Sequence, residues 1–103
     1  RRYLAACSNG ERGVFGGGDP TTSLIDYVTI ATTGDAINFG NLTVARRGLA
    51  ACSNGERGVF GSGGTSSSNT SRIDYVTIAT TGNATIFGNL TVARGYLASC
   101  SGN

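Results

Sequence analysis

Apolar and polar positions alternate with a period of two along Ile25–Ala31 (IDYVTIA). This places Ile25, Tyr27, Thr29 and Ala31 on one face of an extended strand and Asp26, Val28 and Ile30 on the other. The same letters return at Ile73–Ala79. Leu4–Ser8 (LAACS) is a short apolar run that stops at Asn9-Gly10, a dipeptide that favours a hairpin turn, and GVFGG at Gly13–Gly17 reads as the returning strand. After the alternating strand, Thr32-Thr33-Gly34-Asp35, or Thr80-Thr81-Gly82-Asn83, turns the chain. A fourth short strand is predicted over Ala36–Phe39, or Ala84–Phe87, with NLTVAR leading on to the next segment. No window combines i, i+3, i+4 apolar spacing with helix-forming residues. The pattern predicts an all-β chain.

The pattern is written twice. LAACSNGERGVFG stands at Leu4–Gly16 and, unchanged, at Leu49–Gly61; FGNLTVAR stands at Phe39–Arg46 and Phe87–Arg94. A third copy opens with YLASCS at Tyr96–Ser101. The repeat length is 45–48 residues, and the difference falls in one Gly/Ser/Thr-rich window, Gly17–Leu24 against Ser62–Arg72. The predicted units are residues 2–46 and 47–94, with residues 95–103 as the first strand of a third. Four strands in each such unit is the content of a propeller blade.

These residues resemble the kelch repeat. Arg2 or Arg47 opens the unit, and Val14-Phe15-Gly16-Gly17 matches the strand that ends in a double glycine. Tyr27 and Tyr75 match the first aromatic, and Phe39 and Phe87 stand near the place where kelch blades keep a Trp. The second copy breaks the double glycine as Gly61-Ser62, though Gly63-Gly64 follows. The resemblance implies two kelch-like four-stranded propeller blades plus one further strand. The wording of the repeats is also similar to that of repeat-rich virion structural proteins of tailed phages infecting marine cyanobacteria, which implies a particle-surface or tail-associated protein. Because rings need about 4–8 blades, two blades do not close one. The duplicated first strand favours a longer parent chain or an open, end-to-end assembly.

Composition narrows the chemistry. Of 103 residues 17 are Gly and none is His, Met or Trp, and all eight positive charges are Arg. Hydrophobic residues make up 39%, a thin supply for a self-sufficient core. The lack of His removes Ser-His-Asp and Cys-His catalysis and imidazole metal sites. A net charge of +2 without an Arg cluster is a poor nucleic-acid footprint, and no apolar run approaches the ~20 residues of a membrane-spanning helix. Arg1-Arg2-Tyr3 at the start reads as a processed chain or the visible part of a longer one. No cofactor is expected.

Each recurring polar residue has a structural reading and a functional one. Cys7, Cys52 and Cys100 share one position in successive units, read as small hydrophobes on a crowded inner strand beside Ala5-Ala6 and Ala50-Ala51. No CxxC pair supports a metal site. Asp26, Asp74 and Asp35 are weighed as an acid–base pair or Ca²⁺ ligands, but recurrence favours bonds from Asp26 and Asp74 to Arg12/Arg57, to Arg46/Arg94 or to turn amides. The variable loops are the binding candidates, with Gly17, Asp19, Thr21, Thr22, Ser62, Thr65, Ser67 and Asn69 as their residues. Asn41, Asn69, Asn83 and Asn89 head formal N-glycosylation sequons.

The expectation is a non-enzymatic structural and adhesive repeat module of a phage virion or extracellular fibre. Its partners would be further copies or repeats of itself and a host-surface glycan or protein. The other readings are a filament subunit without a receptor role and a scaffold piece of a larger propeller enzyme.

Overall fold

A computed structural model describes residues 1–65 and 67–99. The described chain is all β, with eight strands: β1 (Ala5–Ser8), β2 (Arg12–Gly16), β3 (Thr22–Thr29), β4 (Ile37–Arg46), β5 (Ala50–Ser53), β6 (Arg57–Gly61), β7 (Arg72–Thr77) and β8 (Thr85–Asn89). They form two open, antiparallel, four-stranded sheets in the order β1-β2-β3-β4 and β5-β6-β7-β8. No helix is long and apolar enough to cross a membrane.

The two repeats fold in the same register because their turns are chemically the same. Ala5 pairs with Gly16 as Ala50 pairs with Gly61, and Phe15 pairs with Asp26 as Phe60 pairs with Asp74. At the first turn Asn9 Oδ1 accepts from the backbone N–H groups of Glu11 and Arg12 at 2.9 and 2.8 Å, and Gly10 takes φ 91°. Asn54 does the same for Glu56 and Arg57, with Gly55 at φ 94°. An Asn side chain closes the turn on its own backbone, and Gly supplies the left-handed residue. Both sheets carry a bulge on the fourth strand: Phe39 is the extra residue between the partners of Ile25 and Asp26, and Phe87 the extra one between the partners of Ile73 and Asp74. A bulge bends its strand and re-aims side chains, here at the repeated phenylalanine.

Three expectations shift. The loop predicted over Gly17–Leu24 ends at Thr21, since Thr22 already pairs with Arg46 and Leu24 with Asn41. The fourth strand of the first unit runs through NLTVAR to Arg46, whereas that of the second stops at Asn89. The longer strand lies under the second unit, which satisfies its outer groups: Thr43 N–H donates to Asp74 Oδ2 at 2.9 Å. The segment predicted as the first strand of a third unit is not a strand over its described part, Gly95–Ser99. That segment follows the second unit instead, Tyr96 N–H donating to Gly48 O at 2.6 Å. The rest of it, Cys100 to Asn103, lies outside the described residues.

The core sits between the sheets. One cluster joins Ala5, Val14, Ile25, Phe39 and Leu42 of the first unit to Leu49, Phe60, Val76 and Ile78 of the second. β1 packs beside β5, so the small residues of LAACS meet their own repeat. Glycines allow the approach: a Cβ on Gly16 would stand 2.9 Å from the Phe60 ring, and one on Gly58 would stand 2.5 Å from Cys7 Sγ. Each repeat therefore buries one face against the other.

Candidate functional site: the joint and the variable loops

At the centre of the joint, Arg46 at the end of β4 reaches into the second unit. Its Nη2 lies 2.9 Å from Asp74 Oδ2, with both side chains wholly buried. The guanidinium also donates to Arg72 O at 2.8 Å and to Phe60 O at 3.4 Å. Thr43 completes the carboxylate's shell, its hydroxyl donating to Asp74 Oδ1 at 2.7 Å. Burial pulls the Arg46 pKa below its ordinary value, and Asp74 opposes that pull. Arg46 Nε is buried without a partner among the described residues. Such a pair costs desolvation, so its contribution lies in fixing one docking geometry, and removing one partner strands a buried charge.

The same constellation appears a second time. Arg1 Nη1 lies 3.1 Å from Asp26 Oδ1, and Arg1 Nη2 donates to Phe15 O at 3.1 Å. Arg1, Arg46 and Arg94 each precede the opening of a repeat, so Arg1 occupies the place that the closing Arg of a unit takes on the next. Of the carboxylate partners weighed from the sequence, Arg46 is realised. Arg12 and Arg57 instead stack on Tyr27 and Tyr75, each 4.3 Å from the ring centre. Arg1 as partner of Asp26 was legible only by aligning Arg1-Arg2 with Arg46-Arg47.

The outer edge of the joint is closed by backbone. Gly82 N–H donates to Phe39 O at 2.9 Å and Ala84 N–H to Asn41 O at 2.8 Å. Asn41 N–H donates to Asn83 Oδ1 at 3.1 Å. Two of the sequon residues thus bond to each other across the joint. Asn41 Oδ1 accepts from Ser23 Oγ, and Asn89 Oδ1 from Ser71 Oγ at 3.2 Å.

The variable loops divide by role. In the first unit Gly17 and Gly18 are buried, and Gly18 N–H donates to Arg46 O. Asp19 holds Arg2 and Arg47, each at 3.1 Å, and Thr21 lies within 3.4 Å of Arg47 Nη1. The hydrogen bond from Arg2 keeps the Asp19 carboxyl below its usual range. Thr22 belongs to β3. In the second unit Ser62 is wholly buried at φ 59°, its hydroxyl set between Thr70 O and Arg94 O and accepting from Arg94 N–H at 3.1 Å. Thr65 Oγ1 accepts from Ser67 and Ser68 N–H at 3.3 and 3.2 Å, a turn that leaves Ser67, Ser68 and Asn69 exposed. So Gly17, Asp19 and Ser62 are tied into the fold, while Ser67 is exposed and Asn69 is exposed with its Oδ1 beside Gly64 and Gly95.

One feature outside these loops repeats as well. The TTG turns line a concavity in each unit, about 330 Å³ beside Thr80, Thr81 and Asn83 and about 220 Å³ beside Thr32, Thr33 and Asp35. The signal was the unvarying TTG in both copies.

Cys7 and Cys52 are free thiols, and Cys100 lies outside the described residues. Burial, with a smaller contribution from Cys52, pushes the Cys7 thiol up to about 12. Among the described residues no group of three or more His, Cys, Asp or Glu is placed to hold a metal ion. No protein-family model and no curated protein matches the chain.

Proposed function

We propose that the chain is a non-enzymatic structural and adhesive repeat module, built of kelch-like propeller blades and belonging to a virion or extracellular fibre. Its strands make the joints, and its variable loops present the contacts to a host-surface glycan or protein. The observation that carries the reading is the division of labour in the repeat. Strand residues repeated in both copies meet at a buried Arg46–Asp74 joint, while the window that differs between copies includes the exposed Ser67, Ser68 and Asn69. Short hydroxyl and amide side chains on a rigid framework suit hydrogen bonding to a polar ligand such as a glycan.

The test replaces Ser67, Ser68 and Asn69 together with Ala and measures adhesion of the purified chain to host cells and to a glycan array. Loss of binding with an unchanged melting curve supports the reading. Unchanged binding removes the adhesive role of this loop. A second reading, a filament subunit without a receptor role, is favoured by the two unlike sheet faces that the pair of units leaves open: Phe87 is 54% exposed and Ile30 56% exposed.

A further inference from the structure

The two open faces of the molecule are the two halves of the joint it already contains. In that joint the first unit contributes Phe39, Leu42 and Arg46, and the second contributes Phe60, Ile78 and Asp74. The repeat copies of these residues lie at the two ends, where Phe87, Arg94 and Ile30 are exposed, Leu90 and Phe15 are half-buried, and Asp26 is held by Arg1. Phe87, Leu90 and Arg94 are on the open face of the second unit; Phe15, Ile30 and Asp26 are on that of the first. Phe39 is 3% exposed where Phe87 is 54%, and Ile78 is 0% exposed where Ile30 is 56%. Apolar shape, charge and sequence thus match between the ends, with a guanidinium on one and a carboxylate on the other.

We infer that a second copy of this chain docks head to tail on the first, Arg94 of one copy entering the Asp26 site of the next. This rests on the reading of the chain as an assembling repeat module. The edge bonds follow by the same correspondence. The Gly34 and Ala36 N–H groups would donate to Phe87 O and Asn89 O of the neighbour, as Gly82 and Ala84 do to Phe39 and Asn41. Thr91 of the neighbour would cap Asp26 as Thr43 caps Asp74. A contact between unlike faces does not close on itself after two copies, so it propagates.

The structure also holds a competitor. Arg1 sits on Asp26 and on Phe15 O, the counterparts of the Asp74 and Phe60 O atoms that Arg46 uses. Behind it, residues 1–4 occupy the place that residues 94–97 of an incoming copy would take, since Gly48 N–H bonds Tyr3 O and Tyr96 N–H bonds Gly48 O in succession. Docking therefore requires the incoming Arg94 segment to displace Arg1. Assembly is then set by the contacts of the incoming Arg94 segment against those that hold residues 1–4, Arg1 on Asp26 and Arg2 on Asp19.

The experiment is sedimentation and native mass spectrometry of the full chain over a concentration series, with R1A, R94A, D26A and an equimolar mixture of the last two. Arg94, Asp26 and Arg1 are not core residues, and unchanged circular dichroism and melting show that each variant is folded. R1A is expected to assemble at lower concentration than the parent chain. R94A and D26A alone are expected to associate about 30-fold more weakly or worse, the usual loss when one partner of a buried interfacial ion pair is removed. Their mixture is expected to give a discrete two-chain species, because one sound face remains on each. Assembly of R94A or D26A equal to that of the parent chain would overturn the inference, as would an R1A variant that stays a single chain. Cell adhesion separates the two proposals. Binding through Ser67–Asn69 without assembly defeats the head-to-tail joint alone, and assembly with loop-independent binding defeats the adhesive reading alone.

Discussion

Gly58 and Cys7 share one space: a Cβ on Gly58 would lie 2.5 Å from the Cys7 sulfur, so the glycine of one repeat is the seat of the cysteine of the other. The inner strands come close enough to meet because neither position is larger. The expected cost of G58A is about 1–3 kcal/mol of overpacking. C7A should recover part of it, and the double variant in urea unfolding should fall short of the sum of the singles. Additive losses would place the strain elsewhere.

The buried and open copies of the Arg–Asp pair should respond differently to the same change. D74A leaves Arg46 charged and enclosed, for an expected loss of about 3–5 kcal/mol. D26A disrupts a pair whose side chains are 19% and 27% exposed, and a loss of about 1 kcal/mol or less is expected in the single chain. Chemical denaturation of both variants at a concentration below assembly checks the contrast.

Aromatic truncation gives the same contrast for the apolar part. F60A is expected to cost about 3–5 kcal/mol, and F87A much less, because Phe60 is 0% exposed in the joint and Phe87 is 54% exposed. Equal losses in thermal melts would mean that the core lies within each sheet.

The Cys7 thiol carries a pH signature. Its pKa in the fold, about 12, lies above the ordinary value of 9.0, so between these the unfolded chain ionises while the folded chain holds its proton. Fewer protons on the unfolded state mean that stability falls as pH rises through this window, and the contribution is intact below about pH 9. The parent chain should therefore lose stability more steeply than C7A between pH 9 and about 12. At pH 8, iodoacetamide followed by peptide mass spectrometry should label Cys7 much more slowly in the native chain than in urea.

The strands were legible because two signals agreed: period-two alternation in IDYVTIA and the Asn-Gly turn that precedes each ERGVFG. The extension of β4 to Arg46 was not, since it depends on Asp74 of the next repeat receiving the Thr43 N–H, a contact distant in sequence. The variable loops were found as a window, but residue type alone does not separate Ser62, a buried hydroxyl set between two carbonyls, from the exposed Ser67. Composition cannot tell a serine that satisfies backbone from one that faces solvent. The Arg46–Asp74 bond was among the pairings read from recurrence; its rival, Arg12, was drawn to the face of Tyr27 instead.

Because the apolar cluster belongs to the boundary between the sheets, the buried strand positions of one repeat answer to the other. A change at Phe60 must suit Gly16 of the unit before it, and a change at Gly16 must suit Phe60 in return. Sequence drift in one copy is thereby checked by the copy next to it, and an array of such repeats tends to keep its strands in step. The tip at Ser67–Asn69 is exposed. There each copy can diverge alone, and a gene that lengthens by duplication can acquire new surface chemistry without rebuilding its joints.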